Sequence, residues 1–259
     1  SGWHSRAGSP DSPTAASSQA LELLDKPAHS SPLLAQGEHC RIIFDGVLHD
    51  RSGLLARFAD QLTLNHTDAD LVLQAYRCWG EDALLQLKGA FALIIWDSTK
   101  DQLLCARDHV GMHPLFYAEV GSTLLFSPSI EALLGHPGVS KELNRAGLVE
   151  HLAWRWTKLG DTYFTHVKRI PPGHALRLNP GGRHVYRYWD PTPRDQPIEW
   201  IVDHEVRERF EATLEQAVHR RLVPGATGIY MSVGLDSIGV AMVAADICRR
   251  QGRPPPWAL

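Results

Sequence analysis

Ser232, Val233, Gly234, Leu235, Asp236 and Ser237 form the run SVGLDS, set between the apolar stretch GIYM and the longer apolar stretch IGVAMVAADI. A strand that ends at such a run and hands over to a helix aims several backbone N–H groups, and the positive end of the helix dipole, into one small space. Anions collect there. Ser232 and Ser237 can add hydroxyl donors, Gly234 lets a ligand come close to the backbone, and Asp236 can hold a magnesium ion that bridges phosphate oxygens. The same six residues also suit a plain strand-to-helix turn, with glycine in the bend and aspartate as the cap. Taken alone, the run leaves both readings open.

The elements that must position this run follow one another in α/β order. Val206, Phe210, Leu214, Ala217 and Val218 share one face of a helix over 206–222, Pro224 and Gly225 make a turn, a strand runs over 227–231, and a second helix starts at Ser237. Before them, the charged, proline-rich stretch 190–197 reads as a linker.

The upstream part reads as a layered sheet structure with helices on its faces. Residues 41–44 form a β run, Asp45 and Gly46 a turn, and Asp50 caps a following helix. A helix over 68–79 puts Leu71, Ala75 and Cys78 on one face and stops at Gly80. Hairpins follow, with turns at 97–101, at Gly121 and at 179–182, and a short helix covers 129–134. Residues 1–19, rich in Ser, Pro, Gly and Ala, read as loop or weakly ordered edge. His109 and His113 have the spacing of helical metal ligands, but Gly111 and Pro114 break any helix there, so they read as hairpin residues.

Composition removes several function classes. At 259 residues and 44% hydrophobic, the chain can bury a sizeable core. A net charge of -3 with mixed signs provides no basic field for nucleic acid or an anionic membrane. The four cysteines make no C-x-x-C pair, which suits a reducing, cytoplasmic setting without a zinc knuckle or disulfide framework. No apolar run is long enough to span a membrane, and the first residues lack a signal-peptide core. The chain starts without Met, at a processed end or part-way through a longer frame. Neither a G-x-S-x-G elbow nor a G-x-x-x-x-G-K-[ST] loop occurs.

SVGLDS resembles the S-G-G-x-D-S pyrophosphate loop of the ATP pyrophosphatases, and the upstream region resembles the amidotransferase domain of asparagine synthetases. IIFDGVLHDRSGLL is similar to that family's F-N-G-E-I-Y-N helix entry, and TDADLVLQAYRCWG to its S-D-T-E helix. LKGAFALIIWD is similar to its L-x-G-x-F-A strand, and LLCARDHVGMHPLFY to its R-D-x-x-G-x-x-P-L-Y hairpin. The motifs stand in the family's order. The resemblance implies an α+β fold, a layered αββα domain like that of the Ntn hydrolases over 1–189 with its N-terminal strand missing. A linker over 190–203 and the truncated opening of an α/β ATP-pyrophosphatase domain over 204–259 follow.

The activity so implied is an ATP-dependent amide ligase: a carboxylate becomes an acyl-adenylate, pyrophosphate leaves, and an amine attacks. ATP and Mg2+ are the implied cofactors. Met231 would lie at the edge of the adenosine site, Ser232, Val233, Gly234, Leu235, Asp236 and Ser237 would grip pyrophosphate, and Asp236 would ligate the metal. The carboxylate is a small molecule or peptide, with L-aspartate and L-glutamine as the family's substrates and a homodimer as one assembly. Two residues depart from the loop pattern: Val233 replaces its first glycine and Ile238 a small hydroxyl residue. A left-handed backbone at Val233 would cost roughly 1–2 kcal/mol; a side chain filling pyrophosphate space would make the loop inert.

The resemblance also implies a glutaminase with an N-terminal cysteine nucleophile, which is absent here, so the chain by itself is expected to be inactive. Of the implied glutamine pocket, Gly46 and Asp68 are retained, while Asp45 replaces an asparagine, Val47 a glutamate and Ala20 an arginine. Asp45 would repel a substrate carboxylate unless protonated or paired. Such losses suit the β-lactam synthetases and lasso-peptide cyclases of the same family, whose substrates supply their own amine. A non-catalytic binding or assembly module that keeps the amidotransferase shape is the reading from another class.

Overall fold

The structure, a computed structural model, describes residues 3–6, 33–58, 62, 66–156, 158–192, 202–222 and 227–259. They fall into two compact units, 1–192 and 193–259. Ala20, the residues 193–201 that make up most of the expected linker, and the Pro224–Gly225 turn lie outside the described residues.

The first unit runs β1 (Trp3–Arg6), β2 (Leu33–Gln36), β3 (Cys40–Leu48), α1 (Arg51–Arg57), α2 (Asp68–Trp79), a 3-10 turn (Gly80–Asp82), α3 (Ala83–Gln86), β4 (Gly89–Asp97), β5 (Gln102–Arg107), β6 (Phe116–Val120), β7 (Thr123–Ser127), α4 (Ile130–Leu134), α5 (Arg145–Leu152), β8 (Val167–Arg169), β9 (His174–Asn179) and β10 (Gly182–Arg187). The strands make a six-stranded antiparallel sheet, β10-β9-β5-β4-β3-β2, and a four-stranded one, β1-β7-β6-β8.

Side-chain alternation along the strands stacks the layers. In β5, Leu104 and Ala106 face a core shared with Leu71, Ala75 and Tyr76 of α2, whereas Leu103 and Cys105 face Leu115, Leu124 and Phe126 beside and on the smaller sheet. The far side of that sheet, with Ala118, Leu125 and Val167, packs on Leu133 of α4. The order is therefore helix, sheet, sheet, helix, as the αββα reading expects.

The hairpins fall where turn chemistry puts them: β4–β5 around 98–101, β6–β7 around Gly121 with φ +59, and β9–β10 around 180–181. Helix α2 opens with a Thr67–Asp70 capping box and ends at Gly80 with φ +59, a conformation only glycine adopts freely.

Several expectations are corrected. Asp45 and Gly46 make no turn; they lie inside β3, opposite Ala92 and Phe91. Gly46 takes φ +139, and a Cβ there would sit 2.1 Å from the Ala90 carbonyl oxygen, so the close approach of β4 is what calls for glycine. Asp50 stands at the N-cap of α1, where its backbone oxygen accepts from the Leu54 N–H at 3.1 Å, but its side chain makes no capping bond. Cys78 is exposed although Leu71 and Ala75 are fully buried; the last turn of α2 packs Trp79 on Phe58 instead, with ring centroids 5.1 Å apart. Within 1–19, expected as loop or weakly ordered edge, Trp3–Arg6 is an edge strand paired with β7.

The second unit holds α6 (Asp203–His219), β11 (Gly228–Ile229), α7 (Leu235–Arg250) and β12 (Trp257–Ala258). The expected strand shortens to the two residues that pair in parallel with β12. Helix α7 starts two residues before Ser237, with Gly234 as N-cap. Among the described residues, α6 packs through Val218 and Leu214 with Ala244 and Ile247, whereas Val206, Phe210 and Ala217 of the expected apolar face are exposed.

Candidate functional site

Two places bring together the residues singled out by the sequence, one in each unit. In the first, Asp45 is carried by β3 and meets His113, whose Nε2 lies 3.0 Å from Asp45 Oδ2. The R-D-x-x-G-x-x-P segment builds the support for that histidine. Asp108 is fully buried and accepts from the N–H groups of Val110 (3.2 Å), Met112 (3.0 Å), His113 (2.8 Å) and, on β4, Phe91 (3.3 Å). Arg107 completes the frame, donating from Nε to the His113 carbonyl at 2.7 Å and from its terminal nitrogens to the carbonyls of Ile170 and Gly111. Gly111 holds φ +70 at the tip, where a Cβ would lie 2.7 Å from Pro172 Cγ. The segment is thus a rigid bracket around one buried carboxylate, and it presents His113 to Asp45.

Asp68 has a different task. Its Oδ2 accepts from the Leu48 N–H at 3.0 Å and its Oδ1 from Arg51 Nε at 3.1 Å, tying the start of α2 to the end of β3. Arg51 also donates to the His66 carbonyl. Asp45 and Asp68 share no hydrogen bond or ion pair among the described residues. The replaced Val47 side chain is exposed. A small hollow opens beside Asp45, walled by Ile43, Ala92, Leu93, Ile94, Leu115 and Pro128. His109 points elsewhere, edge-on to Tyr188 and Trp189, and its burial depresses the imidazole's proton affinity. Among the described residues no three metal-ligating side chains converge.

In the second unit, the loop closes on its own hydroxyls. Ser237 Oγ receives the Ser232 N–H at 3.1 Å, lies 3.0 Å from Ser232 Oγ, and reaches the Gly234 carbonyl at 3.0 Å. Ser232 Oγ accepts from the Gly234 N–H at 3.2 Å, and the Met231 N–H donates to the Leu259 carbonyl at 2.9 Å. With glycine as N-cap, the first turn of α7, Leu235 to Ser237, has no side-chain cap. Val233 is fully exposed and does not take a positive φ, and Gly234 is extended at φ -81. The strain considered for Val233 is therefore absent, and its side chain projects into solvent at the loop's tip.

The loop and first turn of α7 therefore combine amides without a side-chain cap, two serine hydroxyls 3.0 Å apart and the acidic residue Asp236, a donor set of the kind that receives an anion.

Residues 10–189 match the glutamine amidotransferase domain family. The chain carries a glutamine amidotransferase domain of the asparagine synthetase family. It is 31% identical to asparagine synthetase (glutamine-hydrolyzing) 3 of Bacillus subtilis over 226 residues, 85% of this chain and 36% of that protein. It is 28% identical to amidase chry2 of Gibberella zeae over 89% of this chain and 34% of that protein. The chain thus spans about a third of the length of these relatives. Among solved structures, the glutamine phosphoribosylpyrophosphate amidotransferase of B. subtilis is similar at TM-score 0.42 and 17% identity, covering 88% of this chain and 48% of that one.

Within this amidotransferase domain, sequence reasoning found Asp45, Gly46 and Asp68 but not their partners. His113, expected as a hairpin residue together with His109, stands five residues after Asp108, and Arg51 sits one residue past the expected cap. A basic side chain placed next to a motif that must fold tightly was the signal available for each.

Proposed function

We propose that the protein to which this chain belongs is an ATP-dependent amide-forming ligase. The observation that carries the reading is the uncapped start of α7 after SVGLDS, in a chain whose first unit is an amidotransferase domain of the asparagine synthetase family. The relatives named above include enzymes called glutamine-hydrolyzing asparagine synthetases.

In this reading Ser232, Gly234, Leu235, Asp236 and Ser237 hold the pyrophosphate of ATP, Val233 borders it and Met231 edges the adenosine. A magnesium ion bound through Asp236 would neutralise phosphate charge. A carboxylate oxygen attacks the α-phosphorus, the bond to pyrophosphate breaks, and an amine nitrogen then attacks the acyl carbon. AMP leaves and the amine gives up a proton. The chain's own contribution is electrostatic: first-turn amides and serine hydroxyls meet the charge that builds on the departing pyrophosphate.

Asp45 favours a second reading for the nitrogen source. Its pairing with His113 occupies a position that the family uses for glutamine, which supports a cyclase-type relative whose substrate brings its own amine. Carboxylate-dependent ATP–pyrophosphate exchange by the protein of the complete reading frame tests both. Exchange that requires aspartate supports asparagine synthesis; exchange that requires a peptide or β-amino acid supports the cyclase. Absence of exchange with every carboxylate sinks the ligase and leaves a binding module.

A further inference from the structure

Arg169, the last residue of β8, carries a positive charge that forms no ion pair among the described residues. Its guanidinium lies over the ring of Phe116, 6.0 Å from the centroid. Nε is buried there without a hydrogen-bond partner, while the two terminal nitrogens are neither buried nor bonded among the described residues. The neighbouring Lys168 already holds Asp161 at 2.9 Å, and Arg107, close enough to be felt electrostatically, is also positive. A guanidinium that has lost part of its hydration without gaining an acceptor is costly to keep and ready to receive an anion.

The neighbouring surface is apolar and basic. The Arg169 N–H donates to the Gly160 carbonyl at 3.0 Å, which sets this arginine beside the chain that follows α5. There Trp154 and Trp156 are 97% and 98% exposed, and Leu152 and Leu159 are exposed as well. Arg155 and Lys158 make no ion pair among the described residues, and Glu150 is the one acidic residue between 145 and 160. Trp154 holds φ +55, a left-handed conformation unfavourable for a bulky side chain. Two backbone bonds fix it there, from the Trp154 N–H to the His151 carbonyl (3.0 Å) and from the Arg155 N–H to the Glu150 carbonyl (2.8 Å). His151 is braced in turn by Tyr163, whose hydroxyl lies 3.2 Å from its Nδ1. The backbone is thus strained to hold an indole in water.

We propose that Arg169, with the exposed residues of 152–156 and 158–159, forms a docking surface for an acidic segment of another polypeptide, one that carries apolar side chains beside its carboxylates. A carboxylate meets the terminal nitrogens of Arg169 in a charge-assisted pair, which the lost hydration of that guanidinium strengthens. Arg155 and Lys158 take further acidic groups, and the indoles and leucines take the apolar ones. A nucleic acid or an anionic bilayer is a poorer match. The net charge of -3 opposes a large anionic surface, whereas a short peptide meets the local charge only. The exposed leucines, moreover, offer nothing to a phosphate backbone. The inference stands on the first unit and goes beyond the ligase reading; the protein can pass either test and fail the other.

Fluorescence anisotropy of a labelled peptide built of Glu, Leu and Ser, titrated with the full chain, tests the surface. Its counterparts carry Lys in place of Glu, or Ser in place of Leu. The expected result is saturable binding of the acidic, leucine-bearing peptide that weakens as salt is raised. The Lys peptide does not bind, and the leucine-free peptide binds about tenfold more weakly or worse. Arg169→Gln, and separately Arg155→Gln with Lys158→Gln, each weaken binding about tenfold. Trp154→Gly separates docking from packing, because glycine accepts φ +55 freely: its Tm holds or rises while its affinity falls about tenfold. No saturable binding, equal binding of the Lys peptide, or full affinity in Trp154→Gly overturns the surface. Tighter binding of oligodeoxythymidylate or of phosphatidylserine vesicles than of the acidic peptide overturns it in favour of those partners. Protection of both indoles from acrylamide quenching in the protein of the complete reading frame, without peptide, overturns it too, since the cover then lies in the same polypeptide. Should Arg169→Gln fail to fold, Trp154→Gly and the Arg155, Lys158 pair decide.

Discussion

Gly46 shows how much one residue can hold. Its φ of +139 is open to glycine and strained for any side chain, which costs about 1–3 kcal/mol by itself. Adding a methyl group 2.1 Å from the Ala90 oxygen makes it worse. Gly46→Ala should lower the Tm of the chain by roughly 5–10 °C in a thermal melt; an unchanged Tm would mean that β3 and β4 do not approach as described. Two titrating residues set an acid limit. Burial depresses the affinity of His109 for its proton, against the pull of Asp108. For Asp97, burial raises the carboxyl, but hydrogen bonds from Thr99, Tyr76 and Lys100 outweigh it and hold the group below the ordinary carboxylate range. Both groups bind protons more tightly when unfolded, so both lend stability that falls as the medium becomes acidic. The His109 contribution fades below the ordinary imidazole value of about 6.5, and the Asp97 contribution below the ordinary aspartate value of about 3.9. Urea midpoints measured against pH should flatten in the upper window for His109→Gln and in the lower for Asp97→Asn.

At the scale of elements, the start of α7 makes a prediction that separates strain from space. Val233 is exposed and its φ is not positive, so Val233→Gly relieves nothing and should lose up to about 1 kcal/mol through the freer unfolded chain. A gain in urea midpoint would reveal a strained loop. Ser237→Ala removes the hydroxyl that gathers Ser232 and Gly234, and should cost about 1 kcal/mol. In the complete protein, Asp236→Ala should abolish ATP–pyrophosphate exchange while leaving far-ultraviolet circular dichroism unchanged. The elements that sequence made legible are those with local punctuation. Hairpin turns and the Thr67 and Gly80 ends of α2 carry their own chemistry. Gly46 misled because a glycine inside a strand and one in a turn look alike until the neighbouring strand is in place. Asp45 and Asp68 could be picked out as candidates, but their partners come from a separate loop and helix, and only tertiary packing joins them.

For the molecule as a whole, both units leave apolar side chains exposed, Trp154 and Trp156 in the first among them. The first nevertheless buries both faces of β4 and β5 at the centre of its larger sheet. The second leaves Val206 and Phe210 of α6, and Leu235 and Met242 of α7, exposed. Apolar surface of that kind seeks cover. Light scattering on the purified chain should therefore show self-association that grows with concentration, and the double substitution Val206→Ser with Phe210→Ser should reduce it. A monodisperse chain would instead favour the binding-module reading.

The layered arrangement also sets a clock. Strands β4 and β5 are flanked on both sides in their sheet and covered on both faces, so the amide hydrogens of Ile95 and Leu104 meet solvent deuterons only when the entire unit opens. Their exchange should be the slowest in the chain and should follow global stability one for one. Amides in the exposed loop around Val233 should exchange at rates indifferent to that stability, so one isotope experiment dates the opening of the core and the breathing of the loop separately.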